Sequence, residues 1–129
     1  MLPKLLLILS PERKDLLLQA LDGGNFQIEC ESNPHRAGEI LGGAVRFDLL
    51  FLDAELPDGA WQNLLEWSRR HGTASAAVVC ARVADHHLWG EVLQSGAYDL
   101  LVEPFEHQEV ARIVDGALNS TSLLPPLRR

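Results

Sequence analysis

A chain of 129 residues, 47% of them hydrophobic, amounts to one domain with enough apolar side chains to bury a core. Its net charge of −7 argues against nucleic acid as a partner, because phosphate binding requires clustered Lys and Arg. No stretch reaches the ~18 uninterrupted apolar residues of a membrane span, and the run from Leu5 to Leu9 is too short for a signal-peptide core before Pro11-Glu12-Arg13-Lys14. The expected location is therefore cytoplasmic. The two cysteines, Cys30 and Cys80, fit neither a disulfide scaffold nor a metal site.

In chain order, Lys4 to Leu9 (KLLLIL) reads as a buried strand by its continuous apolar character. Ser10-Pro11-Glu12 then starts a helix, with Ser as N-cap, Pro at the first helical position and an acid in the first turn. Leu17, Leu18 and Leu21 face inward on it, and Gly23-Gly24 stops it. Phe26 to Glu31 alternates apolar and polar, which suits a half-exposed edge strand. Asn33-Pro34 opens a weaker helix through Ile40 and Leu41, closed by Gly42-Gly43.

The stretch FDLLFLDAELPDG, from Phe47 to Gly59, is the most informative. A short apolar run leads into Asp53 and reads as a strand buried on both faces. Pro57, Asp58 and Gly59 supply the turn that follows. Asp53 thus sits where a buried strand becomes a loop, the edge at which open α/β sheets bind ligands; a capping or turn aspartate would look the same. Ala60 to His71 is a third helix, with Trp61, Leu64, Leu65 and Trp67 apolar and Arg69, Arg70 and His71 at its negative end. The spacing of Trp61 and Trp67 puts one of them in the core and the other outward.

Ala76 to Ala81 is a fourth buried strand. Asp85 to Ser95 is a fourth helix, with Leu88, Trp89, Val92 and Leu93 on one side, so that Trp89 is expected to pack inward. Asp99 to Val102 makes a fifth strand and Glu103-Pro104-Phe105 a turn. Val110, Ile113, Val114, Ala117 and Leu118 keep the spacing of an amphipathic last helix. The division expected is a domain over residues 1–120 and a tail or start of a linker over 121–129. Strands alternating with helices specify an α/β domain with a parallel sheet and right-handed crossovers. The edge character of the second strand favours a doubly wound, flavodoxin-like (βα)5 sheet in the order 2-1-3-4-5, with Asp53 at the switch point. Cys30 and Cys80 would then lie three strands apart, roughly 14 Å, too far for a disulfide.

Adjacent His86 and His87 diverge by about 100° on a helix and make a poor metal pair. His35, His71 and His107 are isolated and support no phosphohistidine chemistry.

Over its length to about Leu118 the chain resembles the receiver domains of bacterial two-component response regulators. The matching blocks are LFLDAELPDG around Asp53, the strand VVCA, and GAYDLLVEPF from Gly96 to Phe105, in the family's order and spacing. The resemblance implies that Asp53 holds the position that accepts a phosphoryl group from a histidine kinase, and that Pro104 follows a cis bond. The departures are specific. Where receivers carry two acids that hold Mg²⁺, this chain has Ser10 and Pro11, and Pro11 offers no ligand. The Ser or Thr of the fourth strand is Cys80, a weak donor. The Lys that clamps the phosphoryl group is Glu103, and the aromatic switch residue is Leu100. Two charges ~4 Å apart interact by roughly 4 kcal/mol at an effective dielectric near 20, so exchanging Lys for Glu moves the site by up to about twice that. Glu12 could keep one carboxylate near the site, although a solvated first-turn acid is the plainer reading.

The expectation is therefore a degenerate receiver. Mg²⁺ binding would be lost or weak, no other cofactor is implied, and the domain would be a phosphorylation-independent, non-enzymatic module with a kinase or output domain as partner. The alternative is a conventional receiver phosphorylated on Asp53. An enzyme of the haloacid-dehalogenase-like phosphatase type wants Asp-x-Asp, whereas Asp53-Ala54-Glu55 runs into Leu56-Pro57. In receivers the face made by the fourth helix, fifth strand and fifth helix is the usual dimer surface. Here Leu100 and Leu101 alternate, so one of them is expected to point away from the core, next to the helix that carries Trp89, with Arg112 available to pair with Glu91 or Asp99 across a homodimer.

Overall fold

The computed structural model describes residues 2–123. Five strands, β1 (Lys4–Ile8), β2 (Gln27–Glu31), β3 (Leu49–Asp53), β4 (Ala77–Ala81) and β5 (Asp99–Val102), alternate with α1 (Pro11–Ala20), α2 (Pro34–Leu41), α3 (Ala60–His71), α4 (His86–Ser95) and α5 (His107–Leu123). The strands pair in parallel in the order β2-β1-β3-β4-β5, as the alternation of elements and the polar β2 predict. Cys30 and Cys80 are both free thiols.

Local chemistry fixes where each helix starts. The Ser10 hydroxyl accepts from the Arg13 N–H at 3.3 Å and Pro11 takes the first helical position. Asn33 caps α2 by accepting from Arg36 N–H, and Asp85 caps α4 by accepting from Leu88 N–H. A single 3₁₀ turn, Pro57–Gly59, joins β3 to α3, and Asp58 and Gly59 adopt positive φ of 58° and 66° there. Glycine tolerates that region freely and aspartate better than most residues.

The sheet is covered on both faces. Leu6, Ile8, Leu50, Leu52, Val79 and Leu100 face a layer built from α2, α3 and α4, where Leu41, Trp61, Leu64 and Val92 meet them. Leu5, Leu7, Phe51, Val78, Cys80 and Leu101 face α1 and α5 through Leu17, Val110, Ile113 and Val114. This double covering corrects one expectation. Leu100 and Leu101 do point to opposite faces, but both are buried, because helices close both sides of β5.

Trp61 is buried and Trp67 half-exposed, as their spacing predicts; the Trp67 indole N–H donates to the Gly38 carbonyl on α2. On α4 the inward stripe is narrower than expected. Val92 is buried with Leu88 partly so, whereas Trp89 and Leu93 lie one residue further round and are exposed, Leu93 at 73%. Helix α5 runs to Leu123, past Asn119, where the apolar periodicity ends. Residues 124–129, the larger part of the expected tail, lie outside the described residues.

Candidate functional site

Parallel pairing brings the ends of β1 and β3 side by side, with Ile8 opposite Leu52. Asp53 closes β3 with its side chain 1% exposed. Both carboxylate oxygens are fully engaged. Oδ2 accepts the Ser10 N–H at 2.9 Å and Oδ1 the Glu55 N–H at 2.9 Å. The third donor is Arg13, whose Nη1 lies 2.7 Å from each oxygen.

Arg13 is the residue that sequence reasoning missed. It projects from the first turn of α1, is 9% exposed, and reaches three carboxylates, two from the end of β3 and the loop after it and one after β5. Besides Asp53, its Nε donates to Glu103 at 2.8 Å and its Nη2 to Glu55 at 3.1 Å. Burial on its own would push the Arg13 pKa down; the hydrogen bonds to Glu103 and Asp53, and the charges of Asp53 and Glu55, more than offset that. The guanidinium is held as a cation still more firmly than an ordinary arginine. A signal was present in the sequence: Arg13, Leu17 and Ala20 keep i, i+4, i+7 spacing, and all three are buried. A cation in the inward stripe of a helix beside a strand-end aspartate calls for a buried anion.

The other predicted positions fall around this cluster. Glu103 is half-buried at the end of β5, and the peptide to Pro104 is cis. Cys80 is opposite Asp53 in the β3–β4 register and fully buried. Burial, then the nearby Asp53 charge, push its thiol pKa far above the ordinary value. Leu100 is opposite Val79, inside the core. Ser10 spends its N–H on Asp53 and its hydroxyl on the helix cap. Glu12 is exposed, at the rim of a cleft of about 370 Å³ lined also by Ser10, Pro11, Glu55 and Leu56. A cation is thus gathered by Asp53 and Glu103, but the third carboxylate is Glu55, not Glu12, and the cation is the protein's own.

That arrangement does not suit the magnesium ion that receivers of this kind use. Mg²⁺ demands near-octahedral oxygen ligands. Pro11 supplies none, Ser10 is committed to the cap, and the Asp53 oxygens already accept four hydrogen bonds between them. Among the described residues no group of three or more His, Cys, Asp or Glu is placed to hold a metal ion. His86 and His87 are at the exposed start of α4, where His87 faces Glu91 at 3.4 Å. His35 lies near Glu39. His71 and His107 contact backbone carbonyls through Nδ1.

No family model matches the chain. Over 109 residues it is 27% identical to the regulatory protein AtoC of Escherichia coli K12, a match that covers 84% of this chain and 23% of that protein. The chain thus spans under a quarter of the length of this relative. Among solved structures it is similar to a response regulator from Thermotoga maritima, at 20% identity and a TM-score of 0.79, covering 93% of this chain and all (100%) of that one. A CheY-like receiver domain from Methanospirillum hungatei JF-1 superposes with a TM-score of 0.78 at 16% identity, covering 95% and 98% of the two chains. A signal receiver domain of an HD domain-containing protein from Pseudomonas fluorescens Pf-5 gives 0.79 at 20% identity, again covering 95% and 98%. The strand order, the aspartate closing β3 and the similarity in sequence agree: this chain has the fold of response-regulator receiver domains and resembles them in sequence.

Proposed function

We propose that this receiver works without phosphorylation, as a non-enzymatic protein-interaction module whose aspartate is held by the protein itself. The observation that carries the reading is the buried Arg13 guanidinium, 2.7 Å from both oxygens of Asp53. For Asp53 to attack a phosphoryl donor, one oxygen must leave this cation and a backbone N–H inside a buried site. The product would be worse placed than the reactant. Three carboxylates around one guanidinium leave the cluster at −2, and a phosphoryl group adds negative charge where a receiver would offer Mg²⁺ and a lysine. Cys80 offers only a weak, buried donor to the phosphoryl oxygens, and Leu100 is an apolar core residue with no hydroxyl or ring to follow them.

The interaction surface that fits the reading is the face of α4, β5 and α5. Trp89 and Leu93 make an exposed i, i+4 stripe on α4, and Tyr98, just before β5, is exposed with its ring beside Gly116 of α5. A second copy of this chain, a kinase or an output domain is the kind of partner such a face takes, and a cytoplasmic location suits all three. Among the described residues no helix is long and apolar enough to cross a membrane.

The test is incubation with acetyl phosphate or phosphoramidate and Mg²⁺, followed by intact mass. The unmodified mass is expected. A single phosphoryl increment that disappears in Asp53→Asn would establish the conventional phosphoacceptor instead.

A further inference from the structure

We propose that the open edge of β2 is a docking site for a partner segment in extended conformation with Lys or Arg at alternate positions, added to the sheet as a further strand. β2 is one edge of the sheet and is unlike the strands inside it. Gln27 to Cys30 are exposed and Glu31 half-buried, whereas β1, β3 and β4 are buried almost throughout. The Gln27 N–H donates to the Pro3 carbonyl at 2.8 Å, which fixes the phase of the parallel ladder. Gln27, Glu29 and Glu31 turn their backbone N–H and C=O groups toward β1, and Ile28 and Cys30 turn theirs outward. Among the described residues no loop or side chain pairs with those outward groups. Donors and acceptors therefore line an exposed edge, the template to which an extended chain adds itself.

The side chains select which chain. Gln27, Glu29 and Glu31 share one face of β2, and Ile28 and Cys30 share the other. Glu29 has no ion-pair partner among the described residues, and Glu31 accepts the neighbouring Asn33 N–H at 2.9 Å. On the other face Ile28 and Cys30 are both exposed. An incoming strand thus meets carboxylates on one face and apolar side chains on the other, a pattern answered by alternating basic and apolar residues. A second copy of this chain is the wrong occupant. In both antiparallel registers that pair Cys30 within the strand, Glu29 faces Glu29 or Glu31 of the other copy, and like charges directly opposite repel. The acids that keep β2 from pairing with itself are the ones that favour a basic strand. β2 and β5 stand at opposite ends of the strand order, so the inference concerns neither Asp53 nor the α4–β5–α5 face.

The experiment follows the backbone amide NMR signals of the full chain during titration with end-blocked peptides. The probes are Lys-Val-Lys-Val-Lys-Val, the same peptide N-methylated at every residue, and Lys-Lys-Lys-Val-Val-Val, which has the same charge without the alternation. The alternating peptide is expected to shift the Ile28 and Cys30 amides saturably and to slow their hydrogen exchange. The N-methylated peptide, which cannot donate to the edge, is expected to bind at least about tenfold more weakly, and the block peptide to bind more weakly as well. Glu29→Lys, an exposed substitution, is expected to weaken the alternating peptide about fivefold by reversing one cross-strand charge pair. No saturable shift at Ile28 and Cys30 by about 1 mM peptide overturns the proposal. Equal binding of the N-methylated peptide also overturns it, because charge alone would then hold the peptide to an acidic protein. Slow exchange at Ile28 and Cys30 without peptide, together with a sedimentation coefficient that rises with concentration, gives the edge to a second copy and overturns it too. The acetyl phosphate assay is unaffected by any of these results, so the two readings fail separately.

Discussion

Removing Arg13 tests the energetics of the cluster directly. Asp53 is 1% exposed and Arg13 9%, so Arg13→Ala leaves a buried carboxylate with two backbone N–H donors and no counter-charge. Breaking a buried pair from one side costs about 3–5 kcal/mol. The contact to Glu55, whose side chain is 45% exposed, adds no more than ~1 kcal/mol because water screens it. Glu103, at 20% exposure, stands between these cases. The expected loss of about 3–5 kcal/mol is a large share of the 5–15 kcal/mol that holds a typical domain. Asp53→Asn is expected to cost less, about 1–3 kcal/mol, since Arg13 keeps Glu103 and Glu55 and the amide retains an oxygen for one backbone N–H. Urea unfolding followed by tryptophan fluorescence, with m held constant across variants, reads these differences. A double-mutant cycle with Arg13→Met and Asp53→Asn then isolates the pair, with a coupling of about 2–4 kcal/mol expected. Coupling below ~0.5 kcal/mol, or an Arg13→Ala variant within ~1 kcal/mol of the parent, would refute the account of Asp53 as held by its cation.

Further outcomes follow from the same structure. Cys80, buried beside Asp53, has its thiol pKa raised above an ordinary value of 9.0. The folded state therefore keeps a proton that the unfolded state releases, and stability is lost as pH rises past ~9, by up to about 1.4 kcal/mol per pH unit. Cys80→Ala should flatten that slope relative to the parent, and an unchanged difference between the two across pH 8–10 would contradict it. Iodoacetamide on the native protein is expected to modify Cys30 alone, with Cys80 reacting only in urea; equal native rates would show that the β3–β4 core opens. Leu100→Glu is expected to unfold the domain rather than expose a dimer face, because Leu100 is 3% exposed; a folded variant by circular dichroism would contradict this. The proper probe of self-association is Leu93→Glu, which should lower the sedimentation coefficient at high micromolar concentration if two copies meet through α4, and a monomer throughout would leave only a different partner for that face.

The fold was legible because its signals are local and repeated. Continuous apolar runs gave β1, β3 and β4, Ser10-Pro11 and Asn33-Pro34 gave helix starts, and the polar Gln27–Glu31 gave the edge that sets the strand order. What misled was the choice of stripe. On β5 alternation alone cannot say whether one face or both are covered, and α5 together with the α3–α4 layer covers both. On α4 four apolar residues span more than one helical face, and only the Leu88–Val92 line reaches the sheet. Neither answer is local, since each depends on which helix lies opposite.

The site was legible in Asp53 and Glu103 but not in its third anion, Glu55, or in its cation, and the reason bears on how the domain works. At the positions that matter in receivers, Ser10, Pro11, Cys80, Leu100 and Glu103 each subtract something. A subtraction alone would leave the buried Asp53 near the half-buried Glu103 without compensation, which costs stability. The compensating charge had to come from a side chain long enough to reach the β3 end, and Arg13, one turn into α1 on the same face as Leu17, meets that requirement. Its attachment then matters. A lysine after β5 would link the aspartate to β5 and α4, where its loss or gain of a phosphoryl group moves the output face. An arginine on α1 links the aspartate to β1 and α1 instead, and reaches Glu103 only as an acceptor at the far side of the fork. On the proposed reading, without metal or phosphoryl chemistry, the α4–β5–α5 face would have no variable ligand to respond to, and the exposed stripe of Trp89 and Leu93 would be presented constantly. The face would then be a constitutive docking surface, and the ion pair of Arg13 with Glu103 is what links that proposal to the state of Asp53.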